Sequence, residues 1–350
     1  MHTASLRLGF GLMSVMSLVA TVAHAAPITF DVNSSSAWTT GTGAGANSSV
    51  TYGFDYSTVG IPQAPGSSNT LAMALRANTN SSSGTVQGIT VSPNGLSLTG
   101  DYIIRAKIWA NTVGGWTTGG ALSTGTGTSQ MIGLGVGYTG GTLWRGGSSG
   151  TAPGGGSGVW FAAAGDGGFG GTSNTIRDYS AFTGSGALLA NFVTSTSAYF
   201  ASGSGANPQD NNNAYYQTAF PGPLVNSINS GTWASVQGQT LTTGTITNGI
   251  AGLAWRDFTI ERTGSTVTWS IDTTPIATLS GTSLALDGAT SLTYFDPTNS
   301  VANPASLVFG LVSSYVVEAV PEPATFGLLA AAAAGAMPLV RRLRRRSADD

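Results

Sequence analysis

The run Trp255-Arg256-Asp257-Phe258-Thr259-Ile260-Glu261-Arg262-Thr263-Gly264-Ser265-Thr266-Val267-Thr268-Trp269-Ser270-Ile271-Asp272 decides the fold. Its apolar side chains fall at every second position. Phe258 and Ile260 alternate with Asp257, Thr259 and Glu261; Val267, Trp269 and Ile271 alternate with Thr266, Thr268 and Ser270. A period of two is the strand period, since successive side chains point to opposite faces. Thr263-Gly264-Ser265 supplies the turn, because glycine takes positive φ at no steric cost. An antiparallel hairpin with one dry face and one wet face follows.

The same alternation recurs along the body of the chain. Asp101 to Trp109 sets Tyr102, Ile104, Ala106 and Ile108 against Arg105 and Lys107. Met131 to Tyr138 alternates Ile132, Leu134 and Val136 with glycines, which suits a close backbone approach between sheets. Val159 to Ala164 is an apolar strand, while the Gly- and Ser-rich run 146–158 reads as a loop. Leu307, Phe309 and Leu311 form a late strand, and Val316 with Val317 begins or ends the next. No segment of the body carries apolar residues at i, i+3, i+4 and i+7 over three turns. Trp, Tyr and Phe recur throughout, which disordered chains avoid. The expected fold class is all-β, an antiparallel β-sandwich.

The hairpin 255–272 is similar to a strand-turn-strand of concanavalin A-like lectin and glucanase domains. The late strand near Leu307 to Leu311 fits the closing strand of such a jelly roll. Thr273 departs from that pattern, where a glycine commonly follows the Ile-Asp pair.

Both ends of the chain have their own organisation. Arg7 precedes an apolar run from Leu8 to Ala23, and Ala23-His24-Ala25 offers a small-x-small cleavage site with Ala26 as the new N-terminus. At the other end, Val320-Pro321-Glu322-Pro323 leads into an uncharged run from Ala324 to Val340, then Arg341, Arg342, Arg344, Arg345 and Arg346. As a helix that run spans roughly 25 Å, just short of a hydrocarbon core, and its alanines and Pro338 make it a marginal anchor. The arginines are expected to stay cytoplasmic, leaving the body outside. Pro321-Glu322-Pro323, an apolar helix and a terminal arginine cluster resemble the PEP-CTERM sorting signal of Gram-negative bacteria. The resemblance implies export through the Sec machinery, a transient inner-membrane anchor, and cutting near Pro-Glu-Pro by an exosortase. It further implies delivery to the cell surface or extracellular matrix, often with extracellular polysaccharide. The expected organisation is a signal helix at 1–25, a β-sandwich at 26–318, and a sorting tail with a transmembrane helix at 319–350.

Composition removes whole classes of chemistry. The chain has no cysteine, and its two histidines, His2 and His24, both precede the cleavage site. Disulfides, thiol nucleophiles, a Ser-His-Asp triad and imidazole-bound zinc are excluded from the mature protein. Residues 26–318 hold seven basic against twelve acidic residues, a net charge of −5 with no basic stripe, so nucleic acid is not an expected partner. A glycosidase needs two facing carboxyl groups, roughly 5 to 9 Å apart. Only Glu261 and Glu318 are glutamates in that span, and neither lies in the Glu-x-Asp-x-x-Glu run typical of glucanases with this fold. Asp257 and Glu261 share one strand face about 13 Å apart, too far for a retaining pair. They read as solvent-facing strand residues, and no catalytic residue is assigned.

Two sets of binding candidates remain. Asp166, Asp178, Asp210 and Asn211 lie in Gly- and Asn-rich stretches and have the oxygen chemistry that calcium wants. Turn formation explains the same residues. Trp116, Trp144, Trp160, Tyr215 and Tyr216 lie in or beside Gly-rich loops, where an aromatic face stacks on a sugar ring. Core packing is the alternative for each. The reading is a non-enzymatic, exported surface or matrix protein that binds polysaccharide. Its alternatives are a purely structural matrix protein and a carboxylate-dependent glycoside hydrolase.

Overall fold

The computed structural model describes residues 26–42, 47–79, 87–112, 130–140, 143, 157–165, 177–183, 198–201, 209–222, 248–297 and 308–320. Residues 25–322 form one unit, while 1–24 and 323–350 form another, which lies outside the described residues.

The alternating segments pair into two antiparallel sheets. Among the described residues the larger has nine strands and the smaller six. The path of the larger runs from β10 (Ala198–Tyr199) through β13 (Thr274–Ser280), β12 (Thr266–Ile271), β11 (Trp255–Thr263), β6 (Asp101–Asn111), β15 (Phe309–Val320) and β4 (Leu71–Arg76) to β3 (Ser49–Asp55). A short β1 (Ile28–Thr29) pairs with β15 beside β4. The strands of the smaller sheet are β2 (Trp38–Thr42), β5 (Gln87–Pro93), β14 (Ala289–Asp296), β7 (Met131–Tyr138), β8 (Val159–Ala164) and β9 (Tyr179–Thr183). One six-residue helix, α1 (Ala214–Ala219), stands among the described residues, capped by the Asn213 side chain on the Tyr215 amide.

The hairpin that decided the fold is present as β11 and β12, with Thr263 opposite Thr266. The turn is therefore Gly264-Ser265 alone, with Gly264 at φ 58°. The next turn explains the departure at Thr273. Ile271 pairs with Thr274, and of the two turn residues only Asp272 takes positive φ, at 54°. Thr273 needs no left-handed backbone, so no glycine is required there.

Inward side chains from both sheets form the main core. Tyr102, Ile104, Ala106 and Ile108 meet Ile132, Leu134, Val136 and Phe161, with Trp269 stacked on Phe161 at 5.4 Å. A second core covers part of the outer face of the larger sheet: Trp109, Phe309, Leu311, Ala72 and Ala74 lie under Tyr56, Ile61, Ile250 and Leu253. A third, with Trp160, Phe182 and Phe295, forms within the smaller sheet.

Two expectations need correction. Gly133 and Gly135 of β7 make room for neighbours within their own sheet, and Gly137 for the connection at Ala285, not for the facing sheet. A Cβ on Gly133 would lie 1.7 Å from the Phe161 carbonyl oxygen of β8, the adjacent strand. Secondly, Phe309 to Val317 is one strand, not two. β15 carries a bulge between Val312 and Ser314, so the side-chain phase slips by one residue and the alternation looks broken. Leu307 lies outside the described residues.

Among the described residues no helix is long and apolar enough to cross a membrane. The helices expected at 1–25 and 324–340 lie outside them.

Candidate functional site

A polar cavity lies over the bulge in β15. Opposite the bulge on β6 stands Lys107, which the register places between Asp257 of β11 and Ser314 of β15. Lys107 Nζ donates to Asp257 Oδ1 at 2.6 Å, and its side chain is 19% exposed. Above this floor the cavity measures about 490 Å³ and is lined by Asn33, Pro65, Gly66, Ser67, Ser68, Asn69, Leu71, Lys107, Ser313 and Ser314. Apart from Pro65, Gly66 and Leu71, each of these lining side chains carries a hydroxyl, an amide or an ammonium.

Two lining residues have unmet demands. Asn33 Oδ1 and Ser313 Oγ are both buried and have no hydrogen-bond partner. A buried polar atom left unpaired costs about 1–3 kcal/mol, so a ligand hydroxyl that reached either one would recover that cost on binding. Serine at the bulge is the residue with no partner strand position of its own.

The rim is the segment 56–70, and its order is over-determined. Asp55 accepts hydrogen bonds from the Ser57 amide at 3.1 Å, Ser57 Oγ at 2.7 Å and Thr70 Oγ1 at 2.8 Å, tying the two ends of the loop together. These bonds, Ser57 first and Thr70 next, hold the Asp55 carboxyl below its ordinary pKa of 3.8. The fully buried Tyr56 phenol donates to the Asn69 carbonyl and accepts from the Ala64 amide at 3.0 Å. Trp255 Nε1 donates to the Pro62 carbonyl at 2.7 Å, and its ring meets Tyr56 edge-on. The aromatic second core is thus the foundation on which the polar rim stands.

The calcium candidates come partly together. Asp178, 1% exposed, accepts the Asn211 amide on Oδ2 at 2.9 Å. Asn211 Oδ1 is buried and has no hydrogen-bond partner, while its Nδ2 donates to the Asn248 carbonyl at 3.4 Å. Asp210 instead turns its carboxylate to the Asn212 amide at 2.9 Å and side chain at 3.0 Å, the pattern of a turn. Asp166 lies outside the described residues. Among the described residues no three acidic or histidine side chains converge as a metal site. The cluster is braced by Gly249 at φ 82°, where a Cβ would fall 2.1 Å from the Asn211 carbonyl oxygen.

Of the aromatic candidates, Trp116 and Trp144 lie outside the described residues. Trp160 is in the third core, 1% exposed and stacked on Phe182 at 3.9 Å. Tyr216 is fully buried against Tyr179 at 4.1 Å. Neither offers a face to a sugar. Tyr215 is half-buried, and its hydroxyl donates to the Pro275 carbonyl at 2.8 Å.

Four of the described carboxylates are neutralised in ion pairs. Asp257, Asp272, Asp287 and Glu318 each face a cation: Lys107, Arg256, Arg262 and Arg105.

The pocket itself was missed by sequence reasoning. Its one sequence signal was Ser313-Ser314 interrupting an apolar alternation, which marks a bulge when the phase is counted on both sides.

No family model matches the chain, and no curated protein matches it. Among solved structures, a protein of unknown function with a galectin-like fold from Bacillus subtilis aligns at 8% identity and a TM-score of 0.42, over 84% of this chain and 96% of that one. The exoplasmic/lumenal domain of VIP36, in its Ca2+/Man-bound form, aligns at 9% identity and a TM-score of 0.38, over 80% and 82%. The carbohydrate recognition domain of Emp46p, in a metal-free form, aligns at 9% identity and a TM-score of 0.34, over 81% and 88%.

Proposed function

We propose that this protein is an exported, non-enzymatic polysaccharide-binding protein, and that the cavity over the β15 bulge is its binding site. One observation carries the reading. A cavity of about 490 Å³ is lined by hydroxyls, amides and one ammonium, with the buried Asn33 Oδ1 and Ser313 Oγ left unpaired beneath it. Sugar hydroxyls both donate and accept, so they match that lining better than an apolar ligand does.

Calcium belongs to the same proposal. Asp178 and Asn211 would hold the ion, with Asp166 and Asp210 as the further oxygen donors, because the buried Asp178 carboxylate is bonded to the Asn211 backbone amide and Asn211 Oδ1 is itself buried and unpaired. The ion would fix the segment 209–213. Trp116 and Trp144 are proposed as stacking residues.

Export is proposed from the ends of the chain. β15 runs to Val320, one residue before Pro321-Glu322-Pro323. An exosortase cut there would leave every described strand of the sandwich whole, and the body passes to the cell surface or matrix.

Glycan-array binding of the chain, with calcium and again with chelator, tests the reading. Binding that weakens in Lys107→Met supports the cavity, and loss on chelation supports the calcium site. Retention on polysaccharide gels that is unchanged in Trp116→Ala and Trp144→Ala removes those two residues from it. A folded chain that binds no glycan sinks the proposal in favour of a purely structural matrix protein. Release of reducing sugar would instead identify a hydrolase.

A further inference from the structure

Five cations stand on the larger sheet, and four of them are matched. Arg105, Lys107, Arg256 and Arg262 each form an ion pair with a carboxylate. The fifth, Arg76 at the end of β4, pairs with no carboxylate among the described residues. Its guanidinium carbon lies 5.4 Å from the centre of the Phe54 ring and 5.1 Å from that of Phe309. Its Nε is buried without a hydrogen-bond partner, although the side chain as a whole is only half-buried. Phe54 and Phe309 belong to the second core, so Arg76 stands on the same outer face as the cavity over the bulge.

This arrangement is costly unless something completes it. Two phenyl rings cover the guanidinium and strip water from its faces, and burial pulls its pKa down from the ordinary arginine value. An arginine stays charged through the whole working range of pH, so the charge is not removed by deprotonation. What remains open is the edge of the fork, whose N–H groups match two oxygens of a carboxylate or a sulfate.

We propose that Arg76, seated on Phe54 and Phe309, is an anion-binding subsite, and that the polysaccharide bound by this face carries carboxylate or sulfate groups. The second half of that statement rests on the glycan-binding reading above; the first half does not. The net charge of −5 on residues 26–318 gives an acidic polymer no general attraction, so any preference for it must come from a local site such as this one.

The test is calorimetric titration of the full chain in detergent at low salt. The probes are an oligogalacturonate, a sulfated glucan oligomer, a neutral glucan oligomer of equal length, and inorganic sulfate. Wild type is expected to bind one acidic oligomer about 10- to 100-fold more tightly than the neutral one, the scale of a hydrogen bond to a charged group. Whichever acidic oligomer binds more tightly identifies the anion. Arg76→Met should erase that preference and leave the neutral oligomer unaffected, while Arg76→Lys should keep part of it. Thermal unfolding of each variant checks that it is folded. An acidic preference that survives in folded Arg76→Met, or is absent from wild type, overturns the subsite and leaves the glycan reading standing. If no oligomer binds, but sulfate raises the unfolding midpoint of wild type and not of Arg76→Met, the subsite stands and the polysaccharide half fails. No effect of any probe overturns both.

Discussion

Two residues along β6 separate Lys107 from Trp109, and the surroundings change completely between them. Trp109 is 1% exposed, its ring against Trp255 at 5.8 Å and its Nε1 bonded to Asn111 Oδ1 at 2.9 Å. Lys107 faces a cavity and an ion pair. Both point to the outer face of one sheet, on the same strand. The boundary is the β15 bulge, since Leu311 pairs with Trp109 and Ser314 with Lys107. One sheet face is therefore dry and fixed on one side of the bulge, wet and unsatisfied on the other. Stability and recognition are placed side by side, with the dry half serving as footing for the wet half's rim.

Alkali should separate the dry parts of the molecule from the wet part most strongly. Burial pushes the phenols of Tyr102, Tyr179, Tyr199, Tyr216 and Tyr315 above their ordinary pKa of 10.0. The unfolded chain loses those five protons above pH 10 while the folded chain keeps them. The stability they share is thus fully present below pH 10 and falls as pH rises toward the folded values. Each phenol contributes a slope of about 1.4 kcal/mol per pH unit, roughly 7 kcal/mol per unit for five, which exceeds ordinary margins within two units. Circular dichroism against pH should show cooperative unfolding between pH 10 and 12. A chain still folded at pH 12 would mean these rings are wetter than described.

Next in size is Trp109→Ala, expected to cost about 3–5 kcal/mol through lost burial and a cavity under the rim. Binding should fall with it, because Trp255 and Tyr56 lose their support. Urea unfolding reads the first effect and glycan titration the second. If stability drops while affinity holds, the rim does not depend on the second core and the comparison breaks.

These two regions were unequally legible in the sequence. Of the dry half only Phe309 and Leu311 stood out, whereas the main core on the inner face announced itself, because Tyr102 through Ile108 and Val267 through Ile271 alternate without interruption and burial enforces the period. The wet half did not. Its residues come from β6, from the bulge, from the loop 65–71 and from Asn33, and no periodicity links them. Ser313 is the one local clue: it falls between Leu311 and Val316, where the bulge shifts the phase and one strand reads as two. The aromatic candidates misled for a related reason. Trp160 and Tyr216 sit near glycines in sequence, but glycine also permits the tight packing that buries them. Asp178 and Asn211 do meet, which only the fold could reveal, since 33 residues separate them.

The pocket variants should invert the Trp109 result. Lys107→Met removes a partly exposed ion pair worth about 0–1 kcal/mol to stability, yet takes the one charged donor from the cavity floor. Binding should weaken about 10-fold, the scale of a hydrogen bond from a charged group, with the unfolding midpoint nearly unmoved. Asn33→Ala with Ser313→Ala removes two unpaired polar atoms, so the double variant should be no less stable than wild type. Its affinity for glycan should fall. Unchanged affinity in the double variant means that the orphaned atoms do not take part in binding.

The smallest effect is expected in acid, and it probes how the two halves are joined. Asp55 holds Ser57 and Thr70 at the two ends of the rim, and those bonds favour its charged form. Its folded pKa is lowered, so its contribution is present above the ordinary value of 3.8 and is lost as pH falls through the lowered one. The rim should then loosen before the sandwich unfolds. Trp255 reports it, because its indole N–H is bonded to Pro62 within the rim while its ring rests on Tyr56. A shift in tryptophan emission below pH 3.8, ahead of the loss of strand signal, is expected in wild type. Asp55→Asn keeps the shape of the cap without its charge, so that early shift should disappear and affinity at neutral pH should weaken only slightly. If both proteins lose emission and strand signal together, the rim and the second core unfold as one unit. The polar half would then have no independence from the dry half beneath it, and the cavity would be as rigid as the core.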